Sequence, residues 1–221
     1  MASEPLPSAT VVVLRDGAAG LEVLLLDRVP SAEGKPGPSV FPGGRVDPAD
    51  REGGAEGDAP LRRAAVREAR EEAGLELAAE VLLPISRWIT PELSPRRFDT
   101  WFYLASVARE TAVRVDGGEI ARHRWLAPDA ALAAHHEHRL RLAPPTFVTV
   151  SWLLGLESAA RARERLAPGP LVVFRPHVCP VEGGACMLYP GDAGYETNDP
   201  GAPGARHRLW AVPSGWRYER G

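Results

Sequence analysis

Apolar and polar positions alternate between two periods along this chain, and the change of period marks its elements. Thr10-Val11-Val12-Val13-Leu14-Arg15 is a β-branched apolar run closed by Asp16-Gly17, and Leu21 to Val29 carries a second run, Val23-Leu24-Leu25-Leu26. Two such runs with a Gly-containing link predict a β-hairpin. Residues 30–39 are Pro, Gly, Ser and Lys punctuation and predict a loop. After Phe41-Pro42-Gly43-Gly44, the polar, Gly-rich stretch Arg51 to Gly57 predicts a flexible insert.

From Asp58 the period becomes helical. Leu61, Ala65, Ala69 and Ala73 form a stripe of small apolar residues at a spacing of four, suited to close packing on a sheet. Asp58 is the expected N-cap, Pro60 fits the first turn, and Gly74 is a natural stop. Downstream, Val81 to Thr90, Phe98 to Val107 and Ile120 to Leu126 predict strands. Pro128 to His138 and Pro145 to Leu156 predict helices, the second extendable through Glu157 to Leu166. From Leu171 onward short β-like pieces alternate with Pro/Gly turns, and no internal repeat is visible. Strands on both sides of one strong helix, with more helices after them, predict an α/β fold: an α/β/α sandwich on a mixed β-sheet. The expected division is one domain over 8–166, with a β-rich extension over 167–221 packed on it.

Composition narrows the function class. Of 221 residues, 44% are hydrophobic and 25% charged, which is ordinary for a globular chain that buries a core. A net charge of −3 leaves no electrostatic footprint for nucleic acid. Two cysteines, Cys179 and Cys186, make no disulfide framework. The N-terminus has no basic region followed by an apolar core, and no run of about 18 apolar residues occurs, so neither a signal peptide nor a membrane span is expected. The expected setting is cytoplasmic.

The chemistry concentrates on the strong helix. At about 100° per residue, Glu68, Glu71 and Glu72 share roughly a third of its circumference. Like charges so placed destabilise a helix unless something neutralises them. Hard carboxylate oxygens suit Mg²⁺ or Mn²⁺, ions that keep waters and bridge to phosphates. A solvated mixed-charge face is the plain alternative, since Arg63, Arg67 and Arg70 are interspersed.

Arg67-Glu68-Ala69-Arg70-Glu71-Glu72-Ala73-Gly74-Leu75 matches the second half of the Nudix box, G-x5-E-x7-R-E-U-x-E-E-x-G-U with U apolar. Gly44, preceded by Phe-Pro-Gly, supplies the opening glycine, and Asp50 stands where the pattern has Glu. The extra residues between Gly44 and Arg67 coincide with the insert at Arg51 to Gly57. The chain therefore resembles the Nudix hydrolases. That resemblance implies that Glu68 and Glu72 are the main metal ligands and that Glu71 is a further ligand or the base activating water. It also implies that Arg67 orients the carboxylates and that the Gly44 carbonyl completes the metal sphere, with Gly43, Gly44, Asp50 and Gly74 as box positions. Mg²⁺ or Mn²⁺ is the implied cofactor, and a small nucleotide-diphosphate metabolite the implied partner.

Other segments resemble the peroxisomal-type coenzyme A diphosphatase branch and its bacterial relatives. They are Phe41 to Asp50, Trp88-Ile89-Thr90-Pro91, Arg96-Arg97-Phe98-Asp99-Thr100, Leu142-Ala143-Pro144-Pro145-Thr146 and Leu188-Tyr189-Pro190-Gly191-Asp192. The implied substrate is coenzyme A or acyl-CoA. NADH, ADP-ribose or a nucleotide sugar, and a non-catalytic nucleotide sensor, are the competing readings. An upstream signature of coenzyme A hydrolases is only partly echoed by Leu25-Leu26-Asp27-Arg28, and Glu219-Arg220-Gly221 is no peroxisomal address. Arg28, Phe41, Arg96 and Arg97 are the substrate-binding candidates, because Arg presents a planar fork to phosphate. Asp99 is expected to pair with Arg96 or Arg97. Glu119, in Asp116-Gly117-Gly118-Glu119, is a candidate catalytic acid near the metals, set against a solvated turn residue. His135, His136 and His138 read as a helix terminus favoured by the dipole rather than a metal site, and Cys179 and Cys186 as free thiols. A homodimer is an expectation by analogy with the superfamily alone.

Overall fold

The computed structural model of the protein describes residues 4–30, 37–52, 57–92, 94–167 and 169–221. Most of the insert predicted over 51–57, and the middle of the loop predicted over 30–39, lie outside the described residues. The opening hairpin joins β1 (Leu6–Asp16) to β2 (Leu21–Arg28) in antiparallel register, Leu14 opposite Val23. Two short strands, β3 (Ser39–Val40) and β4 (Gly43–Arg45), follow and pair with β2 and β1 respectively. Helix α1 (Ala59–Ala73) leads to β5 (Leu83–Ile89), β6 (Phe98–Ser106) and β7 (Ile120–Leu126). Next come α2 (Pro128–His136), α3 (Pro144–Trp152) and α4 (Ala159–Leu166), and then β8 (Val172–Phe174).

Among the described residues these strands make one eight-stranded sheet, ordered β3-β2-β1-β6-β5-β8, with β4 added to β1 and β7 to β2. The sheet is mixed: β1 runs parallel to β6 over nine residue pairs, while β5 is antiparallel to β6. A second, four-stranded antiparallel sheet holds β9 (His177–Val181), β10 (Gly184–Leu188), β11 (His207–Val212) and β12 (Gly215–Arg220).

The apolar run of β1 is continuous because both faces of the sheet are covered. Val11 and Val13, with Leu24, Leu26, Tyr103 and Ala105, pack on Ala64, Ala65, Ala69 and Ala73 of α1. Val12 and Leu14, with Val23, Leu25, Phe102 and Leu104, face Leu132, Phe147 and Val150 of α2 and α3. The alternation of side chains along a strand thus feeds two cores, and the α/β/α sandwich follows. Phe174, Tyr189 and Leu209 belong to the second core, with the Trp88 and Phe174 rings stacked 3.8 Å apart.

Four local expectations are corrected. Asp58 occupies the N-cap position of α1, its carbonyl accepting the Arg62 N–H at 3.0 Å, but its side chain makes no capping bond: the carboxylate accepts instead from Arg62 Nε one turn on (2.9 Å) and from the Tyr103 hydroxyl (3.2 Å). The helix expected through Leu156 stops at Trp152, where Gly155 takes a left-handed φ of 74°. A separate α4 then starts at Ser158, whose side chain accepts the Arg161 N–H. Helix α2 ends at His136, with His138 already left-handed at φ 59°. Val81 lies in a one-turn 3-10 helix, so the strand expected from there begins at Leu83.

Candidate functional site

The end of α1 is built to present its polar face. Four alanines on its inner face let the helix sit close against the sheet, and Gly74 stops it in a left-handed conformation (φ 64°), its N–H returning to Arg70. The outer face then carries Arg67, Glu68, Glu71 and Glu72 toward β4, the strand formed by the glycine turn. Both glycines there are required by closeness. A Cβ on Gly43 would stand 2.5 Å from the Ala9 carbonyl, and one on Gly44 2.2 Å from Glu68 Oε1.

Arg67 is the hub. Its Nη1 donates to Glu68 Oε1 (2.9 Å) and Glu71 Oε2 (3.0 Å), while its Nη2 donates to the Arg45 carbonyl (2.9 Å) and Asp50 Oδ2 (3.0 Å). Burial works against the charge of this guanidinium, but the bonds to Asp50 and Glu68 outweigh it and hold its proton more firmly than usual. Asp50 is buried and also accepts the Asp47 N–H at 2.9 Å. This shorter acid, at the edge of the insert, therefore makes an ion pair that fixes Arg67.

Glu72 is buried and accepts the Gly43 N–H at 2.9 Å, and Arg28 Nη2 lies 3.9 Å from its other oxygen. Burial is the main reason its carboxyl is pushed up to about 7, with the neighbouring charges of Glu68 and Glu119 adding to it. Burial also raises Glu68, against the pull of Arg67. Glu119 reaches in from a turn in which the Asp116 carboxylate accepts the N–H groups of Gly118, Glu119 and Ile120. Its exposed side chain meets Arg28 at 3.1 Å.

These groups line one cleft of about 800 Å³, whose walls carry six carboxylates (Asp47, Glu68, Glu71, Glu72, Asp116, Glu119) and four guanidinium groups (Arg28, Arg45, Arg67, Arg96). The excess of hard anionic oxygen fits divalent cations, as does the bare Gly44 backbone lying against Glu68. Among the described residues, however, no three Asp, Glu, His or Cys side chains converge closely enough to hold an ion as they stand. Arg67 draws Glu68 and Glu71 to itself, while Glu72 bonds to Gly43.

Of the substrate-binding candidates, Arg28 and Arg96 line the cleft, and so does Phe41, which is largely buried edge-on to Phe102. Arg97 does not line it and donates to the Thr90 carbonyl at 3.2 Å. Strand parity held that answer: Phe98, Thr100 and Phe102 all line the cleft, so Arg96 falls on their side and Arg97 on the other. Asp99 pairs with Arg87 on the adjacent strand (2.7 Å) rather than with Arg96 or Arg97. Asp116 also lines the cleft, and its place three residues before Glu119 is the turn signal by which the sequence marks it. The histidines stand apart from this site, His135 buried against Phe147 and Trp216. Cys179 and Cys186 are free.

The NUDIX domain family model matches residues 5–147, nearly two thirds of the chain. The chain belongs to the Nudix family. Nudix hydrolase 7 of Caenorhabditis elegans is 30% identical over 158 residues, covering 56% of this chain and 52% of that protein. An acyl-coenzyme A diphosphatase of Xenopus laevis is 28% identical over 131 residues, covering 56% of this chain and 34% of its own length. This Nudix chain thus spans about half, or less, of the curated relatives it matches. A solved NUDIX hydrolase from Alicyclobacillus acidocaldarius superposes with a TM-score of 0.66 at 27% identity, over 77% of this chain and all of that one. Among the described residues no helix is long and apolar enough to cross a membrane.

Proposed function

We propose that this Nudix domain hydrolyses the diphosphate bond of coenzyme A or an acyl-CoA with the help of Mg²⁺ or Mn²⁺. One observation carries the reading: a cleft richer in carboxylates than in guanidinium groups, centred on the Arg67–Glu72 helix face, would repel a diphosphate unless cations joined it. Glu68 and Glu72 would hold the ion, with Glu71 and the Gly44 carbonyl beside them. When bound, it neutralises phosphate charge and acidifies a water.

The chain's own groups do the rest. Arg67 holds Glu68 and Glu71 in place, and Arg28 and Arg96 are placed to grip phosphate oxygens. Glu71 takes the proton from the attacking water, with Glu119 the second candidate because it enters the same cleft. The water oxygen bonds to one phosphorus, the bridging P–O bond breaks, and both halves leave as phosphate monoesters. The coenzyme A assignment is supported by the acyl-coenzyme A diphosphatase relative and by the motifs shared with that branch.

The test is a panel of coenzyme A, acyl-CoA, NADH, ADP-ribose and nucleoside triphosphates, each with Mg²⁺ or Mn²⁺. Release of 3′,5′-ADP from coenzyme A is the expected result. Turnover of ADP-ribose or NADH alone would move the substrate, and binding without turnover would favour a sensor. Glu72→Gln should lose most turnover while melting like the wild type; near wild-type rates would overturn the metal-site reading.

A further inference from the structure

A second cleft, of about 1110 Å³, opens where the β11–β12 turn faces α2 and the start of α3. Its wall includes His135, His136, Pro213 and Trp216 together with Arg141 and Arg217, and no Asp or Glu lines it among the described residues. The wall is fixed by packing rather than loosely draped. The Trp216 ring lies 4.6 Å from His135 and 5.4 Å from Phe147, and the Trp216 carbonyl is 2.9 Å from His136 Nε2. Preformed concave walls of aromatic rings with a few polar groups are the usual make-up of small-molecule sites.

The two clefts share an edge. Ala143 lines both; Pro38 lines this one, while Val40 and Phe41 line the carboxylate cleft. Between them the Ser39 N–H donates to the Arg141 carbonyl at 2.6 Å, tying the two edge segments together. One cleft thus offers carboxylates among its guanidinium groups, and its neighbour offers an aromatic wall, imidazoles and two guanidinium groups without a carboxylate among the described residues.

A diphosphate diester has two halves, and only the charged half suits the first cleft. Resting on the diphosphatase reading above, we propose that the second cleft receives the non-nucleotide arm of the substrate. That arm is an extended chain of amide and methylene groups ending in a thiol or thioester. Its methylenes would lie on Trp216 and Pro213, with the imidazoles facing its amides. On this reading the C-terminal sheet, which lies beyond the residues matched by the family model, supplies selectivity rather than chemistry.

The experiment compares octanoyl-coenzyme A with a short diester of the same nucleotide diphosphate, its arm replaced by methyl. Two variants act in opposite ways. Trp216→Ala removes wall, and Ser214→Trp adds bulk at an exposed turn position, where folding is not at stake. The ratio of kcat/KM for the long substrate over the short one should fall at least tenfold in both. With Mg²⁺ and in a Glu71→Gln background, where turnover is slow, octanoyl-coenzyme A should bind the Ser214→Trp variant at least tenfold more weakly by calorimetry. A wild type that cleaves both substrates, with variants keeping its ratio and affinity, would overturn the arm site alone. A wild type that cleaves neither would overturn the diphosphatase reading and this inference with it.

Discussion

If the diphosphatase reading holds, replacing Asp50 by alanine should cost this chain most of its turnover although Asp50 lines no part of the cleft. The residue is buried and receives two bonds from Arg67, at 3.0 and 3.3 Å, from a guanidinium that also holds Glu68 and Glu71. Hydrogen bonds to charged groups contribute about 1.5–3 kcal/mol, so a loss of about 2–3 kcal/mol in stability is expected. Arg67 would keep its partners in Glu68, Glu71 and the Arg45 carbonyl, but nothing would pin its far side. Losing such a positioning contact behind a metal site typically costs 10–100-fold. The fall should appear in kcat, with KM for coenzyme A changing less, because substrate contacts are untouched. Asp50→Glu, which restores the residue type of the Nudix pattern, should recover most of the rate, and Asp50→Asn should fall between. Steady-state kinetics with Mg²⁺, alongside urea melts, would measure both effects. An alanine variant within twofold of wild-type kcat would refute the claim that Asp50 positions the site through Arg67.

The two glycines of the turn should part company. Gly44→Ala sets a Cβ against the flexible end of Glu68, so it should melt within about 1 kcal/mol of wild type yet lose at least tenfold in kcat. Gly43→Ala meets backbone and should lower the melting temperature clearly. In the C-terminal sheet, Arg208 and Asp192 form a buried pair (Nε to Oδ2, 2.7 Å), and Asp192 also accepts the His207 and Gly194 N–H groups. Asp192→Ala strands the buried guanidinium and should cost about 3–5 kcal/mol in urea unfolding; a cost under about 1 kcal/mol would contradict that accounting. His135 is held down to about 4 in the folded protein, mainly by burial and also by the neighbouring His136 and His138. Folding therefore favours the neutral ring, so this contribution is complete above about 6.5 and is lost as pH falls toward 4. Between pH 7.5 and 5 the wild type should lose up to about 2 kcal/mol more than His135→Gln, read from paired urea curves. Parallel curves for the two proteins would argue against it.

How much of this was legible depended on whether the deciding contacts were local. Helix α1, its stop at Gly74 and the Ala65, Ala69 and Ala73 of its inner face follow from helical period alone; Ala64, buried beside them, falls outside the spacing of four, and Leu61 at the head of that stripe is only half-buried. The two-sided burial of the sheet was readable in the unbroken apolar runs of β1 and β2. Features set by tertiary competition were not. Asp58 does stand at the N-cap, but the distant Tyr103 hydroxyl, with Arg62 of the same helix, takes up its carboxylate in place of a capping bond. Asp99 sits beside two arginines in sequence, yet the antiparallel register of β5 and β6 puts Ile89 opposite it and brings Arg87 within reach.

Asp50 shows the limit most clearly, and also how it could be passed. In sequence it is a short acid next to an insert, which argued for slack. In space the one-turn helix at Ala49–Arg51 folds its carboxylate back beneath Arg67, with the Arg63 Nε bonding the Asp50 carbonyl at 2.8 Å to hold that turn against α1. The insert begins only after these contacts are made. Extra residues between Asp50 and Arg67 therefore lengthen the path without changing the meeting point, since loop length alone adds little closure cost. An insertion inside a motif is harmless when both of its ends are anchored to each other, and that anchoring is visible only once the chain has folded.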